Sequence, residues 1–493
     1  MKQRLKKFIT DKNLYLFSII TIMFFGIFVK LEYATDTYCV FATSTKQYCE
    51  HFLYSGRPLS AAFLAFTNLL GFSPNAVYLT SFIIAIVSTT VSMYVLFNVI
   101  KKDIKNEAIG IIISILVIIN LFSIELYLFL EKGILTLSVL FCVLAFSELV
   151  KYIKSGKIKF IIITFVYMLF ANFSYQGTVG LFVALSSIYI IKNSENIKKF
   201  IKNNFITALC YGIPALINYL IVKYIFNNSR VSNEFDIQES VNLIIKNTNL
   251  MITESFNIIP KYVFLVSACI LLSILVITIL IKREKIKNKI ILLLDVIYVI
   301  VAVYVVTVFP QVLQSTASIG FAPRNTYTFA SIIGIILLYI FFLQKNSKMN
   351  ILTYIAVGIS LVFIIFQYIG FSEIERNRYI LNYNDYYNAI QIQKKVAEYE
   401  KETGNQITKV AVYKQNGNSG SYPELWISGD INVKATAPDW SRMDYLRYYL
   451  DRNLEQVEED KDIYDLYFKN KNWEIFDIEQ VILIKDTLHF CMY

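Results

Sequence analysis

Apolar residues run in long blocks through most of the first 370 positions, and polar residues gather between the blocks. A helix needs about 17–25 apolar residues to cross the hydrocarbon of a bilayer. Eleven stretches predict such spans: 15–31, 76–100, 108–124, 134–150, 159–173, 177–191, 205–225, 262–281, 289–309, 327–343 and 350–369. The two that flank Ser174-Tyr175-Gln176 are short and predict a tight or tilted hairpin. A further apolar stretch, 59–71, lies between Pro58 and Gly71-Phe72-Ser73-Pro74. Its length suits an interfacial or re-entrant helix better than a span.

Lysine and arginine then set the orientation. With the N-terminus inside, the inward segments carry 23 Lys+Arg, counting Lys159 and Lys289 at their edges, while the outer loops carry 7. The opening Met-Lys-Gln-Arg-Leu-Lys-Lys reads as an inside anchor, and no A-x-A site follows the first apolar run, so it does not read as a cleaved signal. An odd number of spans leaves 371–493 outside. That tail holds 15 Lys+Arg against 21 Asp+Glu, whereas the whole chain is +10. The basic excess therefore belongs to the membrane part and argues against a nucleic-acid partner. The tail predicts helices over Asn384–Glu402 and Trp440–Leu450 and strands at Lys409–Tyr413, Val481–Ile484 and Leu488–Met492. The expected fold class is a polytopic α-helical membrane protein, 1–370, followed by a small extracytoplasmic α/β domain, 371–493.

Composition matters for what it excludes. Of 493 residues 56% are hydrophobic and 17% charged, too few polar groups to cover that apolar mass in water. Two histidines, His51 and His489, and no C-x-x-C pair argue against zinc or haem. No G-x-x-x-x-G-K-[ST] or strand-borne G-x-G-x-x-G offers a nucleotide cradle. A divalent cation held by loop acids stays open as a cofactor.

The candidate chemistry lies on the outer side. The loop 32–58 holds Glu32, Asp36, Lys46, Glu50, His51 and Arg57 among tyrosines. Asp36, just past the first span, reads either as a general base or cation ligand or as a solvated loop acid. Arg57 before Pro58, and Arg324 before a late span, suit a lipid phosphate because a guanidinium fork matches phosphate oxygens; the alternative is headgroup anchoring. Glu125 and Glu131, with Lys132, flank the outer end of the third span and read as catalytic acids or as ion-pair partners for Lys132 and for arginines of other loops. Tyr175-Gln176-Gly177 offers a phenol and an amide for sugar hydroxyls, or simply a turn. Asp295 falls inside a span, where a local pair or snorkelling is the default. Cys39 and Cys49 share the first outer loop, where a disulfide is permitted; Cys142, Cys210 and Cys269 read as apolar fillers.

An acid after the first span, Gly56-Arg57-Pro58-Leu59-Ser60, Ser174-Tyr175-Gln176-Gly177 and Pro323-Arg324 occur in an order that resembles the Gtr type II membrane glucosyltransferases, bacterial serotype-converting enzymes that modify O-antigen. Tyr383–Tyr399 resembles that family's extended C-terminal segment. The resemblance implies a GT-C architecture in the bacterial inner membrane, with the N-terminus cytoplasmic and the active site outside. It implies a hexose, glucosyl in the family, carried from a polyprenyl-phosphate donor to an envelope polysaccharide acceptor. The partners are then that donor, that acceptor and membrane lipids. Under this reading Asp36, Glu32, Glu125 and Glu131 are the catalytic candidates, and Arg57, Arg324, Tyr175, Gln176 and Lys132 the substrate-binding ones. The chain departs from the family where paired aspartates are common, since Thr35 precedes Asp36, and again at Glu131-Lys132, where an aspartate is expected. The second acid and any metal are left open by these departures. Two rival readings are a polysaccharide polymerase or ligase, which favours arginine-dominated outer loops, and a lipid-linked sugar flippase, which favours internal repeats and broken spans in matching halves.

Overall fold

The computed structural model describes residues 10–226 apart from 105, 262–282, 286–312, 322–343, 351–414 and 430–492, with isolated positions between 238 and 249 and between 420 and 425. The chain is mostly helical and forms two compact units. One comprises Met1–Val29, Cys49–Tyr127 and Glu131–Phe371; the other comprises Lys30–Tyr48, Leu128–Leu130 and Ser372–Tyr493. A cut at 370 assigns the whole outer loop to the membrane part, whereas the structure groups residues 30–48 with the tail.

Among the described residues of the first unit and the helix that leaves it, eight helices are long and apolar enough to cross a membrane. They are Lys12–Val29, Pro74–Ile100, Lys132–Ser155, Ile197–Ile225, Val263–Ile281, Ile286–Val308, Arg324–Leu343 and the apolar part of Ile351–Thr403. This is the composition of a polytopic helical membrane protein. A ninth candidate is broken: Glu107–Ile118 and Leu121–Tyr127 meet at 58°. The break has a local cause. Buried Asn120 accepts from the Ser123 N–H at 3.1 Å, which starts a new turn, and its amide donates to Ser331 Oγ at 3.2 Å. Lys159–Ser174 and Gly180–Asn193 have 16 and 14 residues, about 21–24 Å at the helical rise of about 1.5 Å per residue. That is less than the roughly 30 Å of hydrocarbon. Pro58–Leu69 is a short apolar helix, with Pro58 in its first turn where the missing N–H costs nothing.

The second unit is built on a four-stranded sheet. Strand β1 (Lys409–Lys414) lies between β2 (Glu455–Val457) and β4 (Thr487–Met492), parallel to both, and β3 (Val481–Ile484) closes the edge antiparallel to β4. Ala411, Tyr413, Phe468 and Cys491 form a buried core under it. The predicted helix over 384–402 is the end of one continuous helix, Ile351–Thr403. Helix Arg442–Leu450 begins two residues later than predicted, while β2 and helix Lys461–Tyr467 carried too little pattern to be read. Helix Thr35–Ala42 and the residues leading into it belong here because their tyrosines do: Tyr38 packs edge-on against Tyr445 at 5.4 Å, and Tyr33 against Tyr448 at 5.8 Å. Buried Arg378 ties the Tyr33 carbonyl, 2.6 Å from Nη2, to the Ile431 carbonyl, 3.0 Å from Nη1.

Candidate functional site

In the first unit, the site grows from Gly56. Its φ of +69° lies in the left-handed region, and an added Cβ would meet the Gln176 and Asn218 amide nitrogens at 2.9 and 3.1 Å. Both amides use that proximity. Gln176 Nε2 donates to the Gly56 carbonyl at 2.5 Å and Asn218 Nδ2 at 3.0 Å. The next residue, Arg57, is thereby fixed at the entrance to helix Pro58–Leu69.

Arg57 lies over Tyr175, its guanidinium carbon 4.8 Å from the ring centroid, and Nη1 reaches Glu131 Oε1 at 3.4 Å. Its Nε–H is buried with no acceptor among the described residues. Tyr175 is held extended between the two short helices, and its hydroxyl donates to Asn325 Oδ1 at 2.5 Å. Asn325 adjoins Arg324. The Arg324 guanidinium pairs with Glu125, and the Arg324 backbone N–H donates to the same carboxylate at 2.6 Å. Gly177 makes this approach possible: a Cβ there would stand 2.8 Å from the Arg324 carbonyl oxygen.

Seven of the nine residues singled out from the sequence thus belong to this unit, and five of them join in one chain: Glu131, Arg57, Tyr175, then through Asn325 to Arg324 and Glu125. Gln176 anchors it from below, and fully buried Lys132 follows Glu131 with its ammonium 3.5 Å from the Tyr78 ring centroid. Each of the two arginines meets one of the two carboxylates. The two arginines are not equivalent. Arg324 is committed to Glu125 through two groups, whereas Arg57 has one long pair and an unused donor. A charge-assisted acceptor such as a phosphate oxygen would complete Arg57. Glu125 and Glu131 each pair with an arginine in this arrangement.

Asp36 and Glu32 belong to the second unit. Asp36 is in the first turn of helix Thr35–Ala42, and its Oδ1 accepts from Trp440 Nε1 at 3.2 Å. Glu32 is buried and faces Glu375, whose carboxyl is pushed up to about 7, first by burial and then by the Glu32 charge. Glu375 lies past the apolar part of its helix. Cys39 and Cys49 are free thiols, donating to the carbonyls of Trp440 and Ala61, so the loop disulfide is not formed. Asp295 accepts from Tyr339 Oη at 3.5 Å. Among the described residues no group of three His, Cys, Asp or Glu side chains is placed to hold a metal ion. Sequence reasoning missed Asn218, Asn325, Glu375 and Trp440; a polar residue inside an apolar run was the available signal for Asn218.

Comparison of the chain with protein-family models, curated proteins and solved structures finds no match.

Proposed function

We propose that the chain is a membrane glycosyltransferase of GT-C type with eleven spans, moving a hexose from a polyprenyl-phosphate sugar to a cell-envelope glycan on the outer face of a bacterial inner membrane. The observation that carries this reading is the unfilled Nε–H of Arg57, at the head of a short apolar helix. A lipid-borne phosphate brings an anionic head to such a place while its chain stays in hydrocarbon. Arg57 takes the phosphate, with Arg324, paired to Glu125, held alongside Tyr175 through Asn325. The acceptor hydroxyl oxygen bonds to the anomeric carbon as the bond to phosphate oxygen breaks. The electron pair of that bond leaves on the lipid phosphate, and the hydroxyl proton goes to a carboxylate base. Asp36, in the second unit, is the acid proposed for that role, and its one side-chain hydrogen bond, from an indole N–H, orients it.

The test is a reconstituted assay in nanodiscs with polyprenyl-phosphate-glucose and purified envelope polysaccharide, scoring released polyprenyl phosphate and hexose incorporated into polymer. Asp36→Asn should lower transfer by about 10²–10⁴-fold with donor binding nearly intact, the usual worth of a general base. Activity retained in Asp36→Asn but lost in Glu32→Gln would move the base to Glu32. Donor translocated across liposomes with no phosphate release would replace the transferase with a flippase.

A further inference from the structure

Trp440, in the second unit, is 64% exposed just before helix Arg442–Leu450. A single exposed aromatic is ordinary unless its surroundings specify a ligand. Three features do so here. The indole N–H is already spent on Asp36 Oδ1, which fixes the ring next to a carboxylate. The ring stacks on no other among the described residues, so its face is open. The cations nearby are already engaged: Arg442 and Lys414 share Asp439, the latter at 3.2 Å, and Arg447 holds Asp444 at 2.9 Å. Asp36 makes no ion pair, and its Oδ2 has no partner among the described residues.

With these cations spent on carboxylates, the patch gives an anion no advantage. It offers a flat apolar surface with an acceptor-only group at its edge. A pyranose has the matching inventory: an axial C–H face that lies on an indole, and a rim of hydroxyls, one of which donates to a carboxylate in a charge-assisted hydrogen bond. We infer that Trp440 and Asp36 form a pyranose-binding subsite and, resting on the transferase reading, that it takes a sugar of the acceptor glycan. Trp440 is then the residue that holds the acceptor, and it also positions the Asp36 carboxylate through its N–H.

The experiment uses the full chain in nanodiscs and a panel of gluco-, galacto- and rhamno-configured hexasaccharides, with binding read by saturation-transfer NMR and calorimetry. Wild type should bind at least one of them. Trp440→Ala should weaken that binding about tenfold and raise the acceptor KM. Trp440→Phe keeps a stacking face but loses the N–H, so it should bind within about threefold of wild type while kcat falls. These substitutions are at an exposed position, so the fold should persist, and circular dichroism checks it. Unchanged affinity and KM in Trp440→Ala overturn the subsite, as does failure of wild type to bind any member of the panel. Lipid-phosphate release on the same preparation separates the two claims. Release with a Trp440-independent acceptor KM removes the subsite and keeps the transferase; Trp440-dependent glycan binding without release does the reverse.

Discussion

The Gln176 side-chain amide donates to the Gly56 carbonyl over 2.5 Å, across 120 positions of sequence. This contact joins the entrance of the short apolar helix to the hairpin that carries Tyr175, and so places Arg57 over the Tyr175 ring. A glycine is required there for two separate reasons, the sign of φ and the space the amides occupy.

Gly56→Ala should therefore destabilise the protein by about 1–3 kcal/mol, the cost of holding a non-glycine residue in a disfavoured backbone region. Thermal unfolding in nanodiscs should show a lowered Tm. Donor affinity should fall as well, because Arg57 is the next residue along the chain.

Arg57→Ala should weaken binding of polyprenyl phosphate by about 10–100-fold, in keeping with loss of a charged hydrogen bond worth roughly 1.5–3 kcal/mol. Arg57→Lys should recover only part, because an ammonium cannot reproduce the planar fork. Equal donor affinity in wild type and Arg57→Ala would reduce Arg57 to a partner of Glu131.

The Arg324–Glu125 pair gives a different expectation. Glu125 is buried, so Glu125→Ala leaves a guanidinium without its counter-charge, a loss of about 3–5 kcal/mol in comparable buried pairs. The double variant Glu125→Ala/Arg324→Ala should be less destabilised than Glu125→Ala alone. A double-mutant cycle on Tm or denaturant midpoint checks the sign.

Glu375 makes stability depend on pH. Its folded carboxyl is raised to about 7 by burial, then by Glu32, with Lys30 opposing. The folded state holds a proton that the unfolded chain releases near the usual carboxylate value, so this contribution is complete at acid pH and declines as pH rises through about 7. Glu375→Gln should flatten the fall in Tm between pH 5 and 8 relative to wild type. Parallel curves for the two proteins would remove Glu375 from the account.

The charge asymmetry of the loops predicts that 371–493 faces outward. Ser419, a natural labelling position for that test, lies outside the described residues. Asn470 is described and exposed, so Asn470→Cys, in a background without the native cysteines, should react with an impermeant maleimide on intact cells. Labelling only after permeabilisation would invert the topology.

The eight long apolar helices were legible because a bilayer demands length and apolarity, which a linear pattern displays directly. The arginines and glutamates were legible as types, since a charged group stands out beside an apolar run. Their partners were not. Arg324 meets Glu125 across 199 positions and Arg57 meets Glu131 across 74, and no periodicity connects such pairs. Asn218 is one polar residue in an apolar run, and nothing in the pattern connects its amide to the Gly56 carbonyl 162 positions away. Residues 30–48 read as part of the membrane domain because their attachment to the tail rests on Tyr33 and Tyr38 packing against tyrosines more than 400 positions away. Lone aromatics give no sign of which other aromatics they will meet.

Strand β1 has consequences for how the protein is made. Its two neighbours, β2 and β4, are Glu455–Val457 and Thr487–Met492, so Lys409–Lys414 leaves the ribosome with both edges bare. At roughly 5–20 residues per second, its register with β4 waits about 4–15 s for synthesis alone. During that interval Val410, Ala411, Val412 and Tyr413, all buried in the finished sheet, are an exposed apolar strand of the kind that pairs with the wrong chain. Yield of the intact protein should then be governed by how that strand is sheltered while it waits, more than by the stability of the sheet it eventually joins.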